Sequence, residues 1–289
     1  MRYAEYVPRD ALAPFVRCFW TLEGHASDFG AAVQPVLPDG CPELVMHFGD
    51  PFERVHADGR VERQAAILFA GQLTEQLSLR PTGRIAVLGV RFHPHGAAAL
   101  LEAAQHDLVG STIDVEAVSR SLAGSLRAAC DVSRDATSAV AAVQRCLIAR
   151  LDPSRCDPQV QYAVRAICSR RRDVSIDQLA ERVGWTRRHL ERRFQAVVGI
   201  APKRLSRIAR FQSAIRALEQ SDAPRSGART AAEIGYADQA HFVREFRELA
   251  GCAPGAHLLR NAELNGYFSR HLSSKNPDRT TSPFDFNTE

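Results

Sequence analysis

Residues 185–202 read WTRRHLERRFQAVVGIAP, and residues 236–254 read YADQAHFVREFRELAGCAP. Shifted by 52 positions, 186–202 and 238–254 agree at six of 17 places: His189 with His241, Arg192 with Arg244, Phe194 with Phe246, Gly199 with Gly251, Ala201 with Ala253, and Pro202 with Pro254. Upstream the offset falls to 51 and pairs Ala180 with Ala231, Val183 with Ile234, Gly184 with Gly235 and Trp185 with Tyr236. One unit therefore occurs twice, with an extra residue in the turn of the second copy.

In the first copy, Ser175 followed three residues on by Gln178 is a capping-box start, and Ile176, Leu179, Ala180 and Val183 recur at helical spacing. Gly184 comes just after the last periodic residue, where a left-handed helix end favours glycine. Thr186 opens a second helix as N-cap, with Leu190, Phe194 and Val197 or Val198 on one stripe before Gly199. Two short helices joined by a tight glycine turn, with small Ala180 four residues before that glycine, make a helix-turn-helix. Such a motif lays the start of its second helix in the major groove of DNA.

With Leu190 and Phe194 turned inward, Arg187, Arg188, Glu191 and Gln195 lie on the opposite face and Arg192 flanks them. Arginine can bond a guanine edge bidentately, and a glutamate can accept from cytosine. The DNA-contact candidates are Thr186, Arg187, Arg188, Glu191 and Arg192 on the first recognition helix, about 186–198. On the second, about 238–250, they are Gln239, His241 and Arg244, and that face is smaller and less polar. For Arg192 and Arg244, base contact and a phosphate contact or intradomain salt bridge both stay open. His189 and His241 read first as packing and phosphate-facing positions.

Between the copies, Pro202 to Glu219 reads as one helix of 18 residues with Pro202 at its first position. Leu205, Ile208, Phe211 or Gln212, Ile215 and Leu218 form its apolar stripe. It spans ~27 Å, close to the ~34 Å repeat of B-DNA, so two recognition helices held by it could enter successive major-groove segments. Charge agrees with this division. Residues 1–155 carry 15 basic and 18 acidic side chains, residues 156–264 carry 19 and 12, and residues 265–289 carry three of each. A basic, arginine-rich C-terminal segment on a mildly acidic N-terminal one is the asymmetry expected when one domain meets a polyanion.

Residues ~158 to 262 resemble the DNA-binding domain of the AraC/XylS family of bacterial transcription regulators. The likeness is carried by LAERVGWTRRHLERRFQAVVGIAPKRL and AAEIGYADQAHFVREFRELAGCAPGAHL, with the signature G-Y-x-D-Q-x-H-F-x-R-E-F ending in G-x-x-P. The resemblance implies two helix-turn-helix subdomains bridged by a long helix, control of transcription at promoters, and contact with RNA polymerase. By position it marks Arg188, Glu191 and Arg192, then His241 and Arg244, as base-contacting candidates. Thr230 departs from the family's usual aliphatic residue, and the preceding SDAPRSGAR is rich in turn formers.

In residues 1–155, apolar or alternating runs at Val16–Leu22, Glu43–Phe48, Ala66–Phe69 and Ile85–Phe92 are separated by turn signals such as Pro38-Asp39-Gly40. Asp58-Gly59 predicts a two-residue hairpin. Helical patterns are expected at Gly96–Gln105 and from Ile113 through Leu151. The fold class is therefore α+β: a β-rich N-terminal domain with trailing helices (1–155), an all-α DNA-binding domain of two helix-turn-helix motifs (156–264), and a polar tail expected to be disordered (265–289). VLPDGCPELVMHFGD, GQLTEQLSL and AVLGVRFHPHGAAALL resemble an uncharacterised N-terminal domain that accompanies a subset of these regulators. That likeness covers most of residues 5–110 and names no ligand.

His93-Pro94-His95 with Glu102 and His47 tempts a metal assignment, but the acid comes seven residues after the second histidine and a proline separates the pair. The solvated loop or helix start is the better account, so no metal and no cofactor are expected. Cys41 with His47 lacks a third orienting group for nucleophilic catalysis. Seven irregularly spaced cysteines fit a reducing cytosol rather than a disulfide scaffold. The acidic, proline-bearing start and the lack of ~18 consecutive uncharged apolar residues point away from secretion and membranes. Three functions compete. One is a regulator of double-stranded DNA modulated by a small-molecule effector in its N-terminal domain. Another is a regulator whose N-terminal domain serves only for homodimerisation. The third is an enzyme fused to a DNA-binding module, which would need paired reactive cysteines that this chain lacks.

Overall fold

A computed structural model describes residues 1–29, 33–131, 133, 135–169, 175–219 and 234–259. The expected disordered tail, Thr230 and the first helix of the second motif up to residue 233 lie outside the described residues.

The N-terminal part is built from two antiparallel sheets. The larger runs in the order β1 (Arg2–Tyr6), β2 (Val16–His25), β9 (Arg84–Phe92), β4 (Glu43–His47), β7 (Ile67–Ala70) and β10 (Thr112–Asp114). The smaller runs β3 (Gln34–Val36), β8 (Leu77–Arg80), β5 (Glu53–Val55), β6 (Val61–Arg63). Period-two alternation assigns each face of the larger sheet. Leu44 and Met46 on β4, with Leu88, Val90 and Phe92 on β9, pack against the helices that follow. Trp20, Leu22, Ile85 and Val87 point the other way, toward Leu77 and Leu79 of the smaller sheet. Trp20 fits because its neighbour on β9 is Gly89, where any Cβ would lie 2.0 Å from the indole ring.

All four sequence-predicted apolar runs form strands. The expected two-residue hairpin is instead a three-residue loop. His56 and Arg60 close it through a backbone bond of 2.8 Å, Gly59 N donates to His56 O, and Gly59 takes φ +85°. That is the type I turn with a left-handed glycine common in such loops. The helix expected at Gly96–Gln105 is only a 3-10 turn at Gly96–Ala99, followed by another at Gln105–Leu108. The chain here threads between two cores, with Ala98 and Ala99 in one and Ala97, Leu100 and Leu101 in the other. Gly96 presses on the Phe15 carbonyl, where a Cβ would sit 1.8 Å from the oxygen. A segment so enclosed has no exposed side along which to wind an amphipathic helix. Ile113, read as a helix start, lies in β10, because pairing with Phe69 satisfies the edge of the sheet.

Helices α1 (Val115–Val118), α2 (Arg120–Asp131) and α3 (Ala136–Ile148) cover the larger sheet, the last started by an Asp135–Ser138 capping box. Leu122, Leu126, Val140, Val143 and Leu147 face the strands. The proline-punctuated stretch after Leu151 is fastened rather than loose: Asp152 N donates to Ala99 O at 2.9 Å, and Arg155 pairs with Glu102 at 2.8 Å. The remaining helices are α4 (Pro158–Cys168), α5 (Ile176–Arg182), α6 (Arg187–Val198), α7 (Pro202–Glu219), α8 (Gln239–Ala250) and α9 (Pro254–Leu259). Their core joins Val160, Val164, Leu190, Phe194, Phe211 and Phe246, and it extends into the N-terminal part through Phe15, Leu37, Ala98 and Ala99. Each large side chain removed from water there contributes about 2 to 3 kcal/mol. Among the described residues no helix is long and apolar enough to cross a membrane.

Candidate nucleic-acid interface

The repeat read in the sequence recurs as geometry. Thr186 caps α6 by accepting from His189 N at 3.2 Å, and Asp238 caps α8 by accepting from His241 N at 2.7 Å. Both helices end on a left-handed glycine, Gly199 at φ +89° and Gly251 at φ +65°. Gly184 and Gly235 supply the positive φ of the preceding turns. The aromatic residue after each turn meets a histidine edge-on: Trp185 with His189 at 4.6 Å, and Tyr236 with His241 at 5.5 Å. Those two histidines are thus partly packed against rings.

On α6, Leu190, Phe194, Val197 and Val198 are buried, which turns the charged side outward. Arg188 is exposed and makes no ion pair among the described residues. Arg187 donates to Glu191 at 3.0 Å and sits 3.3 Å from Asp177 of α5, so two predicted contacts already hold each other. Arg192 is exposed beside His189, 3.2 Å from its Nδ1. On α8, Gln239 and Arg244 are exposed and His241 is half-buried, its Nε2 3.9 Å from Glu245. The structure therefore places four candidates of the first helix, Thr186, Arg187, Arg188 and Arg192, and two of the second, Gln239 and Arg244, on open surface.

Sequence reasoning missed the ladder that ties α8 to α7. Arg210 donates to both oxygens of Glu245 at 3.0 Å, and Arg207 donates to Glu245 at 2.8 Å and also to Glu248. Arg204 reaches Glu248 at 3.0 Å. Glu245 is 3% exposed. The guanidinium of Arg210 also lies 4.5 Å over the Tyr236 ring, a cation–π contact. The arginines at every third position of α7, and the glutamates three apart on α8, were visible in the sequence as matching helical rows. Their charges hold Glu248 below the usual carboxylate range, with Arg207 the main cause.

A cavity lies between the two sheets, lined by residues including Trp20, Val45, His47, Leu79, Arg91 and Gln212. Arg91 is buried and donates to Glu43 at 2.6 Å, with Asp39 3.7 Å away. Burial lowers His47 to about 4, while its Nε2 contacts Gln64 Oε1 at 3.2 Å. Burial first, then Asp39, pushes the Cys41 thiol up to about 12, the reverse of what a nucleophile needs. His93 and His95 are stacked 6.0 Å apart, the first partly and the second fully buried rather than solvated, and desolvation lowers them to about 3 and about 4. Glu102 is occupied by Arg155 at the surface, and no cluster suited to a metal ion occurs among the described residues.

Residues 179–260 match the family model described as a helix-turn-helix domain. Residues 4–114 match a domain of unknown function, DUF6597. An uncharacterised helix-turn-helix transcriptional regulator of Haemophilus influenzae is 33% identical over 102 residues, 35% of this chain and 34% of its own. This chain thus spans about a third of that relative's length. A regulator with an AraC-type DNA-binding domain from Chromobacterium violaceum is 25% identical over 37% of this chain and 94% of its own, with a TM-score of 0.34. ToxT of Vibrio cholerae, solved with unsaturated fatty acid bound, is 13% identical over 83% of this chain and 93% of its own, with a TM-score of 0.41. The C-terminal part thus carries a helix-turn-helix domain. The N-terminal part is a domain to which no function has been attached.

Proposed function

We propose that the chain is a sequence-specific regulator of transcription that inserts α6 and α8 into successive major-groove segments of one DNA duplex, with residues 156–264 as the DNA-binding domain. The observation that carries this is the pair of capped helices, each presenting an open polar face and both fixed to the intervening α7. Arg188 and Arg192 suit base or phosphate contact because they are exposed. Arg187 and Glu191 would first have to exchange their mutual pair for DNA. The smaller face of α8, with Gln239, His241 and Arg244, reads fewer bases and grips more backbone. Residues 1–155 form the effector-binding and dimerisation domain of this reading, favoured by the cavity between the sheets. RNA polymerase is the protein partner at promoters.

The test is selection of bound duplexes from a random ~40 base-pair library at two salt concentrations, since non-specific affinity collapses with salt. Two boxes about one helical turn apart are expected. One box would reduce α8 to a phosphate clamp, and no box at the higher salt would remove sequence-specific DNA binding from this protein.

A further inference from the structure

The loop Pro38-Asp39-Gly40-Cys41 has the cavity on one side and the linker helix on the other. Asp39 and Cys41 line the cavity, and Asp39 stands 3.7 Å from the buried Arg91. On its opposite side Pro38 O accepts from Gln212 Nε2 of α7 at 2.6 Å. Gly40, at φ +79°, lies so close to α7 that a Cβ would be 2.9 Å from Leu205. Gln72 Nε2 donates to Gly40 O at 2.9 Å and braces the loop from the sheet side. Gln212 is 3% exposed and itself forms part of the cavity wall. One side chain of the helix that spaces the two recognition helices therefore touches both the cavity and the loop beside it.

The chemistry of the wall restricts the occupant. Arg91, the arginine of the wall, is sandwiched between Glu43 and Asp39, so it is already paired with two acids and an incoming carboxylate or phosphate meets their charge as well. Most of the remaining wall is aliphatic or aromatic, with Val36, Val45, Leu68, Leu79 and Phe52 prominent. His47 offers one polar anchor: with Nε2 donating to Gln64, Nδ1 is an acceptor that has no hydrogen bond among the described residues. We infer that the cavity binds an uncharged, largely apolar small molecule bearing a hydroxyl or N–H donor, and that Gln212 and the Pro38 loop transmit its presence to α7 and so to DNA affinity. This deepens the regulator reading above and rests on it.

Three probes sharing one apolar body separate the alternatives: 3-phenylpropan-1-ol, 3-phenylpropanoate and 3-phenylpropylammonium. Binding is read from Trp20 fluorescence in a Trp185→Phe background, since the chain has two tryptophans. DNA affinity is read on the full chain with a duplex recovered from the random pool, as the ratio of Kd with and without saturating probe, so changes in basal affinity cancel. The alcohol is expected to alter Trp20 emission and to shift Kd at least ~5-fold, the lower end of typical coupling, while the carboxylate does neither. In Gln212→Ala, brought to saturation as judged by Trp20 emission whatever alcohol concentration that takes, the Kd ratio returns to about one. Gln212→Asn, which keeps the amide but shortens its reach, serves if the alanine variant does not fold. No Trp20 response to the alcohol, or an equal response to all three probes, overturns the ligand class. A Kd that ignores bound alcohol, or a ratio unchanged by both variants, overturns the coupling. A Trp20 response with no duplex retained overturns the coupling together with the DNA-binding reading beneath it.

Discussion

Arg210 of α7 holds both carboxylate oxygens of Glu245 on α8 at 3.0 Å, and Glu245 is one of the few buried charged groups among the described residues. Because Arg207 donates to the same carboxylate, α8 is oriented by two charge-assisted contacts to α7 as well as by its apolar stripe.

Glu245→Ala should destabilise the protein by roughly 3 kcal/mol, because two partly buried guanidinium groups lose their counter-charge. Glu248→Ala, whose side chain is 46% exposed, should cost under ~1 kcal/mol. Urea unfolding of the two variants checks the contrast, and equal losses would show that the ladder does not depend on burial.

Arg188→Ala should cost about 1 to 3 kcal/mol on a selected duplex and relax preference at one or two base positions. Arg187→Ala should cost less, since Arg187 must break its contacts with Asp177 and Glu191 before it can reach DNA. Competition binding with randomised positions measures both, and a loss for Arg188→Ala that is uniform over all sequences would make it a phosphate contact.

Gly199 and Gly184 both take positive φ, but only Gly199 is also crowded: a Cβ there would meet Gln105 O at 2.7 Å, whereas at Gly184 nothing lies within 4 Å. Gly184→Ala should cost about 1 to 2 kcal/mol for the left-handed backbone alone. Gly199→Ala should cost distinctly more and loosen the contact between α6 and the Gln105 turn. Thermal unfolding ranks them, and hydrogen exchange around Gln105 locates the second effect.

His47, His93 and His95 are neutral in the folded chain at neutral pH, held by desolvation at about 4, about 3 and about 4, against an ordinary ~6.5 when unfolded. Their depressed values mean that the stabilisation is complete above pH ~6.5 and is lost as pH falls toward 4, because the unfolded state then binds protons the folded state excludes. Stability should fall by up to ~1.4 kcal/mol per pH unit for each histidine across that window. His93→Phe should flatten the slope measured by urea unfolding at a series of pH values. A slope unchanged from the parent protein would show that His93 does not titrate in this way.

The C-terminal domain was legible because its determinants are local. Caps at Thr186 and Ser175, glycines at 184 and 199 and the stripe of Leu190 and Phe194 act over a few residues, and a second copy repeated most of them. Helix α7 kept its bounds for the same reason. The N-terminal strands with clear alternation were also readable, while β1, β3 and β8 were not, because segments of three to five residues are set by what they pair with.

What the amino-acid sequence by itself determined was the repeated capped helix with its glycine turns, the length of the helix between its copies, and the identity of the side chains turned outward on α6 and α8. Those follow from backbone preference and periodicity, which a chain carries wherever it packs. Only the tertiary structure decided that Arg187 and Glu191 satisfy each other, that Gly96–Gln105 is no helix, that Glu245 anchors α8, and that Gln212 faces a cavity built from distant residues of the N-terminal part. Such outcomes depend on burial and on which distant charge or carbonyl arrives alongside, and no local pattern encodes them.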